Sequence, residues 1–101
     1  MATNTTVLFR GAATTNTATT LYTVPSGRTT VVSNIAVTNT SGSAQTFTLA
    51  LAGTAIHTTT TIAANSTVYI DLKQVLVATN TITGGASSTS VNFHISGIEV
   101  F

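Results

Sequence analysis

From Thr29 to Leu51 apolar and polar side chains exchange places at every second residue, with one polar break between two such runs. Val31, Ser33, Ile35 and Val37 fall on one face of the first run, and Val32, Asn34, Ala36 and Thr38 on the other. In the second, Phe47, Leu49 and Leu51 alternate with Thr46, Thr48 and Ala50. Successive side chains of a strand point to opposite faces, so a period of two predicts half-buried β-strands. The break, Asn39–Ser43, is polar and contains Gly42. Two strands joined by such a loop predict a β-hairpin, with the register left open because the loop exceeds the tight two-residue turn. Just upstream, Leu21–Val24 is apolar, aromatic and β-branched, and Pro25-Ser26-Gly27 ends it. A proline at the second position of a reverse turn with glycine close behind is a turn signal with a mechanism.

The rest of the chain repeats this grammar. Val7-Leu8-Phe9 is a short apolar run closed by Arg10-Gly11, and Ala12–Thr17 reads as a loop. Residues 1–17 are therefore expected to be an N-terminal arm or an edge strand, and residues 18–101 a β-sandwich domain. Thr54–Ala64 reads as one strand or two with a bend, because a run of threonines suits either face. Thr67–Leu72 alternates cleanly, and Lys73–Val77 is the place where a short helical turn is expected. Asn80–Thr83 is a further strand, and Gly84–Ser88 a loop or turn. Val91, Phe93 and Ile95 alternate with Asn92, His94 and Ser96, Gly97 marks a bulge, and Ile98, Val100 and Phe101 resume the strand. Seven to nine short strands with regular turn signals predict an all-β fold. The expected form is a single antiparallel β-sandwich, jelly-roll or immunoglobulin-like in connectivity.

Charge decides which functions are excluded. Only 5% of the 101 residues are charged and the net charge is +1, against roughly 25% charged in an ordinary soluble domain. Arg10, Arg28 and Lys73 are the basic side chains. They form no patch for a phosphate backbone, so no nucleic-acid partner is expected. Nothing predicts a membrane partner: no stretch approaches a spanning helix, and the strands are too few for an outer-membrane barrel. Threonine, about a quarter of the chain, favours extended backbone while leaving a solvated hydroxyl. So neutral a surface is weakly protected from self-association, which points to faces covered by other protein subunits.

Reactive constellations are missing. There are no cysteines, which removes disulfides and thiolate metal sites. His57 and His94, with Asp71 and Glu99, lack the spacing of a catalytic triad or a metal site of three or four ligands. The expectation is no enzyme, no cofactor and no metal, with both histidines on polar strand faces. Asp71 or Glu99 is expected to pair with one of the three cations in a structural or interfacial role. Tyr22 and Tyr69 read equally as core, rim or ligand platform. The triplets headed by Asn4, Asn39 and Asn65 arise by chance in a chain so rich in Ser and Thr.

The segment TTLYTVPSGRTTVVSNIAVTNTSGSAQTFT, Thr19–Thr48, resembles a recurring segment of small structural proteins of tailed bacteriophages. So do IAANSTVYIDLKQVLVATNTIT and the closing VNFHISGIEV. The resemblance spans about Ala18–Val100. It rests on Leu21–Pro25, Gly27-Arg28, Asn39-Thr40-Ser41, Ile62–Asn65 and Gly97-Ile98-Glu99. It implies a virion β-sandwich module, assembled in the host bacterial cytoplasm, that forms a homo-oligomer. Its partner would be the major capsid protein or another virion structural protein. The favoured role is capsid decoration or cement; the alternatives are a tail, neck or fibre subunit, or a surface carbohydrate-binding module. The residues expected at subunit contacts are Phe9, Arg10, Pro25, Arg28, Asn39 and Ser41.

Overall fold

In a computed structural model, which describes residues 2–101, the chain is all-β with eight strands: β1 Thr3–Ala12, β2 Thr20–Thr23, β3 Thr29–Asn39, β4 Gln45–Leu51, β5 Thr54–Ile62, β6 Thr67–Leu76, β7 Thr81–Ala86 and β8 Val91–Val100. They form two four-stranded antiparallel sheets, ordered β1-β8-β3-β6 and β2-β7-β4-β5. Met1, part of the expected arm, lies outside the described residues.

This order decides between the two connectivities left open by the sequence. The chain passes from one sheet to the other at every connection except β4–β5. First and last strands are neighbours, and each sheet interleaves early with late strands. That is the double Greek key of a jelly roll. The hairpin expected between β3 and β4 is accordingly absent. Residues 40–44 span from one sheet to the other, a distance of about 10 Å. The tight hairpin is β4–β5, turned by Ala52-Gly53, where both φ angles are positive, 52° and 80°, as a two-residue turn matched to strand twist requires.

The core is a single layer of aliphatic and aromatic side chains between the sheets. Val32, Ile35 and Val37 of β3, Phe93 and Ile95 of β8, Phe47 and Leu49 of β4, and Ile82 of β7 are all buried. The Phe47 and Phe93 rings meet across the layer edge to face at 6.3 Å, the arrangement their quadrupoles favour.

The simple alternation expected along β3 is broken at Ser33. Val32 and Ile35 both face the core, although an unbroken period of two sets them on opposite faces. Between Val32 and Asn34 the register against β8 shifts by one, so Ser33 is an extra residue and the phase of the strand flips. The bulge expected at Gly97 is therefore on its neighbours. β8 runs unbroken, while Leu8 is the extra residue of β1 and Ser33 that of β3. The glycine is needed because a Cβ there would lie 2.3 Å from the Val31 carbonyl oxygen.

Three further expectations are corrected. Lys73–Leu76 forms no helical turn: Gln74, Val75 and Leu76 continue β6 against Val32, Val31 and Thr30. Gly84-Gly85 is no surface loop but the buried end of β7. There the Gly84 N–H donates to Thr19 O at 2.9 Å, and a Cβ on Gly85 would meet Asn16 O at 2.3 Å. The Pro25 turn is also shifted by one, since Arg28 N–H donates to Pro25 O at 3.2 Å, which makes proline its first residue.

All four sheet edges are irregular. The extra residue in each outer ladder lies on the edge strand: Leu8 in β1, Leu21 in β2, Ile56 and one of Thr58-Thr59 in β5, and one of Leu72-Lys73 in β6. Bulges twist an edge away from a flat pairing template. Here they do what guarding charges do in most sheets.

Candidate functional site

Two polar clusters organise the two ends of the sandwich. At one end, Glu99 on β8 points between the sheets and is 7% exposed. Tyr22 on β2 donates its hydroxyl to Glu99 Oε2 at 2.6 Å, and Arg28 Nη1 donates to Oε1 at 2.9 Å. Thr30 Oγ1 lies 3.0 Å from the Tyr22 hydroxyl. The Arg28 guanidinium also stacks on Phe101, 3.9 Å from the ring centroid, within cation–π range. Phe101 itself is joined to Ala2 by backbone hydrogen bonds in both directions.

The electrostatics follow from this geometry. The Tyr22 hydrogen bond, with the nearby Arg28 charge, holds the Glu99 carboxyl below its usual value against the opposing effect of burial. Burial, and then the hydrogen bond to Glu99, raise the Tyr22 phenol. Both groups are thereby kept in the forms that bond each other: phenol as donor, carboxylate as acceptor.

At the opposite end, Asn39 closes β3 with its side chain fully buried. Its Nδ2 reaches the carbonyls of Ser43, Ile62 and Ala63 at 2.8, 3.2 and 3.3 Å. Its Oδ1 accepts from Ser41 N at 3.0 Å and Ser41 Oγ at 2.8 Å. One amide thus brackets the β3–β4 loop and the end of β5. Asn65 N–H to Ser41 O and Thr40 N–H to Ser90 O tie the remaining loops of this end together. Residues 13–19, 40–44, 63–66 and 87–90 contain no charged or aromatic side chain.

The residues expected at subunit contacts are therefore not one patch. Pro25 and Arg28 lie at the Glu99 end, and Asn39 and Ser41 at the other, separated by the eleven residues of β3. Phe9 and Arg10 sit on edge strand β1; Phe9 packs on the core, and Arg10 is exposed opposite His94. Asn39 offers no side-chain surface, and Arg28 is committed to Glu99 and Phe101. The expected structural pairing of one carboxylate with a cation is Arg28–Glu99. What sequence reasoning missed is the third member, Tyr22, whose strand position gave no signal of its partner.

No cluster of three potential metal ligands occurs among the described residues. His57 Nδ1 lies 3.1 Å from Thr60 Oγ1 and its ring leans on Phe47, whereas His94 is exposed on the other sheet. An open depression of about 500 Å³ lies at the β6 bulge, lined by Ser33, Asp71, Leu72 and Lys73. There the Ser33 hydroxyl donates to Ser96 O at 3.3 Å and Asp71 Oδ1 accepts from Asn34 Nδ2 at 3.3 Å. Tyr69 is 72% exposed.

No family model matches the chain, and no curated protein does. Solved structures that resemble it include two of a pentameric capsid protein isolated from metagenomic phage sequences. One is 21% identical and the other, solved by iodide SAD phasing, 22%. Each likeness covers 95% of this chain and 60% of the other, with a TM-score of 0.41. The chain thus spans about 60% of the length of those proteins.

Proposed function

We propose that this chain is a non-enzymatic structural protein of a bacteriophage virion, and that it decorates the capsid and stabilises the shell of major capsid protein. The observation that carries this is an eight-stranded jelly roll with only 5% charged residues. Fold alone does not assign function, but jelly rolls are a recurrent solution for capsid subunits. A surface this neutral loses little by being covered, since few charges need desolvation on contact with another subunit. The segments that resemble tailed-phage structural proteins agree with it. They include Leu21–Arg28, which holds Tyr22 and Arg28, the two groups that donate to Glu99.

The mechanism is linkage. A protein that binds the assembled shell and not its dissociated subunits stabilises the shell by the free energy of that binding, and many copies add avidity. Copy number on purified particles tests it by calibrated gel densitometry. Copies in proportion to the major capsid protein are expected, with a drop in shell melting temperature when this protein is stripped and recovery when it is added back. A copy number matching one small ring assigns the chain to the tail or neck and overturns decoration.

A further inference from the structure

The outer face of the β1-β8-β3-β6 sheet carries a row whose apolar ends match and whose two central charges are of opposite sign. From Tyr69 to Val75 of β6 the alternate, exposed residues are Tyr69, Asp71, Lys73 and Val75: apolar, acidic, basic, apolar. Tyr69 is 72% exposed and Val75 62%, the two largest exposures among the big hydrophobic side chains. Across the sheet, Tyr69 is level with Ala36, His94 and Arg10, and Val75 with Val31, Ile98 and Thr5. Between these rows, Asn34 Nδ2 donates to Asp71 Oδ1 at 3.3 Å and holds the carboxylate on this face.

From this we propose that two copies of this chain pack these faces against each other about a two-fold axis at the level of Leu72. An isologous contact requires that residue i meet j while j meets i. An axis there brings Tyr69 over Val75 of the second copy and Asp71 over its Lys73, each pair occurring twice. The charges along β6 change sign across the axis, so a second copy supplies the complementary surface. Arg10, the remaining formal charge on the face, falls over Thr5 and meets no like charge.

The edges leave the face as the available contact. Each edge strand is bulged, β6 at Leu72-Lys73 itself, so a continuous ladder between copies lacks a flat template. The size is also sufficient. A face of four strands of about ten residues projects on the order of 600 Å² before side-chain relief is counted, near the roughly 800 Å² per partner of a stable interface. This deepens the structural role proposed above by naming the face through which copies meet. The two fail separately, because particle copy number tests the role and solution mass tests the face.

Sedimentation equilibrium on the full chain decides it, with thermal melts confirming that each variant folds. The wild type is expected to form dimers. Asp71→Lys and Lys73→Asp each raise the dissociation constant roughly tenfold, because the axis counts every exposed pair twice. The double exchange restores it to within about twofold of wild type, since the swapped pair is again complementary. Tyr69→Ala is a second probe, expected to weaken the dimer without lowering the monomer's melting temperature. A monomeric wild type, an assembly whose mass is not a multiple of two subunits, single reversals without effect, or a double exchange no better than the singles overturns the proposal.

Discussion

Tyr22 and Glu99 are 77 positions apart in the chain and joined by a 2.6 Å hydrogen bond that crosses from one sheet of the sandwich to the other. Tyr22 belongs to the β2 edge of one sheet and Glu99 to β8 of the other. Arg28 completes the carboxylate's second oxygen. Removing the hydroxyl with Tyr22→Phe leaves a buried carboxylate oxygen short of a donor. The expected loss is about 1–3 kcal/mol, read as a lower urea midpoint with unchanged m-value.

The same pair sets the pH range of stability. Glu99 titrates below its ordinary value of 4.5 in the folded chain, so below that value the unfolded chain binds the additional proton. Stability is full above pH 4.5 and is lost as pH falls through the folded value. Tyr22 titrates above its ordinary 10.0. Its contribution is full below pH 10 and is lost as pH rises through the folded value. Urea melts across pH should show a plateau with both shoulders. In Glu99→Gln the acid shoulder from this group disappears, and an unchanged acid shoulder refutes the assignment.

Asn39→Asp tests the loop bracket. The substitution is nearly isosteric, but it replaces an amide donor with a carboxylate facing the carbonyls of Ser43, Ile62 and Ala63. A cost of about 2–4 kcal/mol is expected at neutral pH. It should ease as pH falls from neutral toward about 4, the ordinary aspartate value, as the buried acid takes up a donor proton. Chemical denaturation at both pH values reads the difference.

Gly97→Ala tests the crease where β1 and β3 bulge around β8. The added methyl meets the Val31 carbonyl oxygen at 2.3 Å and Leu8 Cδ1 at 3.0 Å. Backbone on one side cannot yield as a flexible side chain does. At least about 2 kcal/mol of destabilisation is expected, a melting shift of roughly 10 °C for a domain of this size. A melting temperature within a degree or so of wild type contradicts the close approach.

Ala52→Asn has the opposite sign. Ala52 holds φ at 52° in the two-residue β4–β5 turn, a region that costs most L-residues about 1–2 kcal/mol and asparagine less. Asn-Gly is the preferred pair for this turn. A gain of about 0.5–1 kcal/mol is expected, measurable as a higher melting temperature.

Much of the strand content was legible because a strand's signature is local. Phe47-Leu49-Leu51 and Val91-Phe93-Ile95 each show their buried face within five residues, and each is buried as expected. The misreadings share one cause. Local pattern puts Val32 on the face opposite Ile35, a helical turn at Lys73–Val77, and a hairpin at β3–β4. In each case the deciding partner is distant in sequence: Gly97 under the Ser33 bulge, Val31 and Val32 beside β6, and β7 beside β4.

The amino-acid sequence by itself determined that this chain forms strands, where most of them break, and that its surface is nearly without charge. Side-chain alternation, turn residues and charge count are properties of neighbours along the chain. Only the tertiary structure decided which strands share a sheet, how bulges reset the inward face, and that Tyr22, Arg28 and Glu99 close on one another. Those outcomes depend on free-energy balances between segments as far apart as Thr3 and Val100, which pair across 97 positions. A threonine-rich strand satisfies its backbone equally well beside several partners, so packing of the shared core makes the choice.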